Sequence, residues 1–206
     1  MRPSTHEPDL DNANVGNVMQ TLSENLNQGS PIFFRNKEEE NMKLNTKKMV
    51  LASMLACLAF VLNTFVYFPA MAPFQHMVNV LATAFLGPWY ASLAAFICGV
   101  MRMMSGRTIQ AIVGAVFGPI MGGLLYKKTK NLYTIAIGEI IGTGIIGAIA
   151  VYPLMCLFYH LEEVNWYYYI PFYTPSAVVG AVMGIAILII LKKSGAYHYF
   201  KSQLEN

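Results

Sequence analysis

The stretch "PFQHMVNVLATAFLGPWY", Pro73 to Tyr90, decides the fold. It is apolar enough to be buried, yet Gln75, His76, Asn79 and Thr83 interrupt it. On a helix Gln75, Asn79 and Thr83 stand at i, i+4 and i+8, with His76 three residues before Asn79, so one side is polar. Pro73 and Pro88 bracket the run and leave a helix of about Phe74 to Leu86. At about 1.5 Å per residue this helix is too short to cross a hydrocarbon core of about 30 Å upright. Polar groups placed in hydrocarbon are costly unless they find partners, so the polar side must face a bundle interior or a cavity. A single such residue would read as interhelical glue. Four on one short helix point to a pocket lining.

The surroundings identify the solvent. The chain has 206 residues, 55% of them hydrophobic and 12% charged, against about a quarter charged in an average soluble domain. Its mean hydropathy is +0.45. From Val50 to Tyr126 the only formally charged side chains are Arg102 and Arg107, and from Leu132 to Phe158 the only one is Glu139. Apolar runs of roughly 20 residues are the mark of bilayer-spanning helices. Six segments emerge, at about Met49–Phe68, Phe74–Leu86, Pro88–Met103, Ile109–Tyr126, Leu132–Phe158 and Pro171–Leu191. The expectation is an all-α polytopic membrane protein, a six-helix bundle with a short second helix. Small residues recur every fourth position, at Ala91, Ala95 and Gly99, at Gly114, Gly118 and Gly122, at Gly138 and Gly142, and at Ser176, Gly180 and Gly184. Such stripes let helix backbones approach closely in lipid.

The basic residues set an orientation. Lys43, Lys47 and Lys48 precede the first segment, Lys127, Lys128 and Lys130 follow the fourth, and Lys192, Lys193 and Lys201 follow the sixth. The positive-inside rule then puts both termini in the cytoplasm, with Arg102 and Arg107 on the outer side. The aromatic stretch "NWYYYIPFY", Asn165 to Tyr173, reads as an outer interfacial belt. Residues 1–42 are rich in Asn, Ser, Glu and Asp with little to bury, and read as a disordered cytoplasmic tail. Residues 43–206 form the membrane domain. Cys57, Cys98 and Cys156 lie singly in apolar runs, without CxxC or clustered His, and read as small buried hydrophobes.

Further candidates lie outside the second segment. Glu139, with Thr143 one turn on, is an intramembrane carboxylate and so a functional candidate, either a ligand contact or a structural group. Segment five enters from the cytoplasm, so Glu139 is expected in the inner half, nearer Thr83 than His76. Arg102 reads either as an interfacial anchor or as a donor at the pocket mouth, and Arg107 as an ordinary snorkelling residue. Pro153 is expected to kink segment five, turning Tyr152 inward. The segment from Pro69 to Pro73 reads as a lid. No Walker loop, HExxH, GxSxG or paired carboxylate motif occurs. Energy for transport is therefore expected from another polypeptide or an ion gradient, and no enzymatic activity, cofactor, metal or nucleic-acid partner is expected.

"APFQHMVNVLATAFLGPWYASLAAFICGVMR", "AIVGAVFGPIMGGLLY" and "GEIIGTGIIGAIAVYP" together resemble the ThiW family. The likeness covers about Met42 to Leu191. It implies a substrate-binding S component of an energy-coupling factor transporter in a prokaryotic cell membrane, working with a transmembrane coupling subunit and two ATPase subunits that hydrolyse ATP. The implied substrate is hydroxyethylthiazole, a thiamine precursor, and the residues read above as candidates to hold it are Gln75, His76, Asn79, Arg102, Glu139, Thr143 and Tyr152. Ala52 and Ala56 in "ASMLA" are similar to the AxxxA face that such components present to the coupling subunit. Alternatives are the same architecture carrying the pyrimidine moiety or thiamine, a stand-alone ion-coupled carrier, and an intramembrane enzyme using His76 and Glu139. The carrier would show internal repeats with broken helices, and no such duplication is apparent.

Overall fold

The computed structural model describes residues 16–24, 46–66, 72–160 and 165–205. The chain divides into two units, Met1–Asn45 and Thr46–Asn206. In the first, residues 16–24 form a helix that is exposed along its whole length. The rest of the expected tail lies outside the described residues.

In the second unit a helix falls on each of the six expected segments. They are α1 (Thr46–Phe65), α2 (Pro73–Leu86), α3 (Pro88–Met104), α4 (Gln110–Thr129), α5 (Tyr133–Tyr159) and α6 (Ile170–Lys193). A further helix, α7 (Ala196–Glu205), follows α6 and was not expected. By length and apolarity α1, α5 and α6 suffice to cross a membrane. Pro88 opens α3 at a position where its missing N–H costs nothing. Between α2 and α3 the chain turns at Gly87 with φ +80, a left-handed conformation open to glycine at no steric cost.

The short helix is the axis of the bundle. α2 packs against α1, α3, α4, α5 and α6, and most of its residues are buried on every side. All the small-residue stripes are buried as well. That is what the close approach of helices around a central one requires. Ala52, Ala56 and Ala59 are the buried face of α1, packed against Met77, Val78 and Ala82 of α2 and Ala91, Ala94 and Cys98 of α3. The expectation that Ala52 and Ala56 form an outward docking face is therefore corrected. Each is about 1% exposed, and the outward residues of α1 are instead Met54, Leu58 and Val61. AxxxA marks close helix approach but not which neighbour approaches. Here the neighbours are α2 and α3.

Two local features depart from a plain helix bundle. Residues Gly142–Gly147 within α5 form a π-helical turn, a geometry that recurs at functional sites. Pro153 lies inside the same helix. At the lysine-bearing end, α7 docks through Tyr197 and Leu204, which are buried. The hydroxyls of Tyr126 and Tyr197 lie 3.2 Å apart, the rings of Phe85 and Tyr197 meet at 5.3 Å, and the Lys47 ammonium donates to the Gln203 carbonyl at 3.3 Å. The start of α1 and the ends of α2, α4 and α6 thus gather at one end of the molecule.

Candidate functional site

At the opposite end the first turns of α2, α4 and α6 and the last turn of α3 surround a cavity of about 310 Å³. This lies at the lower end of small-molecule sites, which run from about 300 to 1,000 Å³. α2 contributes Gln75 and His76, α4 contributes Gln110, Ala111, Gly114 and Ala115, and α6 contributes Phe172, Tyr173 and Ser176. Arg102 at the end of α3 and Arg107 in the following turn complete the wall. The cavity exists because α2 is short. Its start packs at Gly180, ten residues into α6, or about 15 Å along that helix at 1.5 Å per residue. Helix α2 is thus recessed and forms a floor.

Behind the floor lies a buried polar cluster. Glu139 Oε1 is 2.9 Å from His76 Nδ1 and accepts from Asn79 Nδ2 at 2.9 Å and Thr143 Oγ1 at 3.2 Å. Asn79 Nδ2 also donates to the Ala115 carbonyl at 3.2 Å. Thr83 turns its hydroxyl onto the Asn79 carbonyl of its own helix, at 2.7 Å. The other carboxylate oxygen, Glu139 Oε2, is the one buried side-chain polar atom without a partner among the described residues. It lies against Gly118, where a Cβ would collide with the carboxylate and with the Thr143 hydroxyl. Glycine at 118 therefore makes the room that brings Glu139 to α2.

The placement of Glu139 corrects the expected depth. It bonds directly to His76 and not by way of Thr83. Assigning the start of α2 to the outer surface overlooked that a 14-residue helix can sit wholly inside the bundle, which lowers His76 to the level of Glu139. The sign that could have revealed this is the shortness of the helix itself.

Gln75 works on another side. Its Oε1 accepts from Arg102 Nη1, and its Nε2 donates to the Ala95 carbonyl at 3.5 Å. Arg102 is thereby turned to the cavity. Arg107, expected to be only a snorkelling residue, lies on the cavity wall at its exposed rim. Several wall residues escaped the sequence reading, among them Gln110, Phe172, Tyr173 and Ser176. Tyr173 donates to the Gln110 carbonyl at 3.2 Å with its ring against Gly114, and Ser176 Oγ accepts from the Ala72 N–H at 2.9 Å. Tyr173 sat in a stretch read only as an interfacial belt. Tyr152 is not on the wall; it packs beside Val151, Met155 and Tyr169. The structure thus brings together Gln75, His76, Asn79, Arg102, Glu139 and Thr143 and leaves Tyr152 apart. Of these, Gln75, His76 and Arg102 face the cavity, and Asn79, Glu139 and Thr143 support them. The expected lid, Pro69 to Pro73, falls mostly on 67–71, outside the described residues.

An apolar helical bundle enclosing a small polar cavity is the build of a membrane protein that handles a small polar molecule. The sequence profile of the family described as thiamine-precursor transporter protein (ThiW) matches residues 49–194. The chain belongs to that family, and thiamine-precursor transport is the role the family implies. No curated protein and no solved structure matches the chain.

Proposed function

We propose that this protein is the membrane-embedded substrate-binding subunit of an energy-coupling factor transporter, and that the cavity above α2 takes a thiazole precursor of thiamine such as hydroxyethylthiazole. The observation that carries the reading is the composition of the cavity wall. His76 lines the cavity while its Nδ1 is engaged by Glu139, so the imidazole is oriented before a ligand arrives. The rings of Phe172 and Tyr173 offer flat apolar contact to a heteroaromatic ring. Gln75 and Ser176 add polar atoms for a ring nitrogen or a hydroxyl. A rigid wall of this kind binds with little loss of side-chain freedom.

In this reading the cavity opens outward in the cell membrane, both termini lie in the cytoplasm, and a coupling subunit with two ATPases powers release. The lysines gathered at the far end support the orientation. The test is equilibrium binding of labelled thiazole, pyrimidine and thiamine to the purified full chain. Thiazole binding with weak or absent pyrimidine and thiamine binding is the expected result. Preference for the pyrimidine or for thiamine would reassign the substrate. Co-purification of the expressed protein with a coupling subunit and two ATPases tests the assembly.

A further inference from the structure

Two guanidinium groups line the cavity, and among the described residues no carboxylate does. Glu139, the one acidic side chain in helices α1 to α6, stands behind His76 with Oε1 fully engaged and Oε2 turned to Gly118. Arg102 uses one of its five donors on Gln75 Oε1, a neutral acceptor, and makes no ion pair among the described residues. The Arg107 guanidinium makes neither a hydrogen bond nor an ion pair among them; only its backbone N–H donates, to the Arg102 carbonyl at 3.1 Å. A partly buried guanidinium without an anion is unfavourable, and two on one small cavity repel each other as well.

Helix geometry adds the same sign. α2, α4 and α6 all begin at the cavity, and none has an acidic residue in its first turn. The positive ends of the α2 and α4 dipoles therefore face the cavity without compensation among the described residues, while the start of α6 lies about 15 Å farther along that helix. An ordinary interfacial arginine would point to lipid headgroups or water. Arg102 is instead held by a buried glutamine to face the interior.

We propose that the cavity recognises a negatively charged group on its ligand, held between Arg102 and Arg107, so that the thiazole it binds is an anion. The charge is a carboxylate or a phosphate, both of which suit the planar, forked donors of arginine. His76 and the rings of Phe172 and Tyr173 then face the heteroaromatic part. This rests on the reading of the cavity as the thiazole site.

The experiment measures affinities of the purified full chain for three probes: neutral hydroxyethylthiazole, its phosphate ester, and a ring-carboxylated methylthiazole. A charge-assisted pair predicts that one anionic probe binds roughly 10- to 100-fold tighter than the neutral alcohol, with affinity falling as ionic strength rises. Which anion wins distinguishes carboxylate from phosphate. Arg102→Gln should remove most of that preference, and Arg107→Gln, at the exposed rim, should reduce it without a folding defect. Binding of the neutral alcohol as tightly as either anion overturns the anion assignment and leaves the thiazole site standing. Failure of all three to bind overturns both.

Discussion

Glu139 joins two helices through one oxygen. His76 and Asn79 reach it from α2, and Thr143 from the next turn of its own helix. Replacing it by alanine strands these groups in a dry interior. Each donor left without an acceptor costs roughly 1–3 kcal/mol, so Glu139→Ala should lower the melting temperature of the detergent-solubilised protein markedly. Glu139→Gln keeps an acceptor oxygen and should lose less. An alanine variant that melts like the parent would mean the cluster contributes nothing to stability. At this scale the sequence was highly legible, because polar side chains in apolar runs are costly and therefore conspicuous. What it hid was which of them face a ligand. Asn79 and Glu139 look as suited to binding as His76 does, and only the packing puts them behind the wall.

Among the elements, α2 and α1 carry the clearest consequences. Ala56 has α2 and α3 against it, whereas Met54 on the same helix is 64% exposed. Ala56→Trp should overpack the core, costing about 1–3 kcal/mol or more, and should reduce ligand binding through loss of fold. Met54→Trp should be tolerated. Thermal unfolding of the two variants side by side decides, and equal stability would place the alanine face outside the bundle after all. Gly118→Ala should likewise destabilise by about 1–3 kcal/mol, since its Cβ would strike the Glu139 carboxylate. Each of the six helices α1 to α6 was readable from apolar length and proline punctuation. The π-helical turn at Gly142–Gly147 was not, because its residues serve an ordinary helix equally well. Helix α7 was missed for a different reason. At ten residues it is too short to read as a membrane span, and its place comes from Tyr197 meeting Phe85 and Tyr126.

For the whole molecule, a recessed central helix, a cavity at one end and lysines at the other support the proposed orientation. Outside labelling of intact cells should modify a cysteine placed at Met104, which is 81% exposed beside the cavity end. It should spare one placed at Lys128, at the far end of α4. The reverse pattern would invert the membrane orientation.

The central claim is that the cavity floored by α2 binds the thiazole, and His76 tests it most directly, since it touches both the cavity and the buried cluster. The measurement is the dissociation constant of the tightest-binding thiazole for the purified parent, for His76→Ala, and for Tyr199→Ala, an exposed position on α7. Loss of one buried contact predicts a roughly 5- to 150-fold weaker dissociation constant for His76→Ala. Tyr199→Ala should match the parent. If a folded His76→Ala protein binds thiazole as tightly as the parent does, the ligand lies elsewhere and the account of the cavity is wrong.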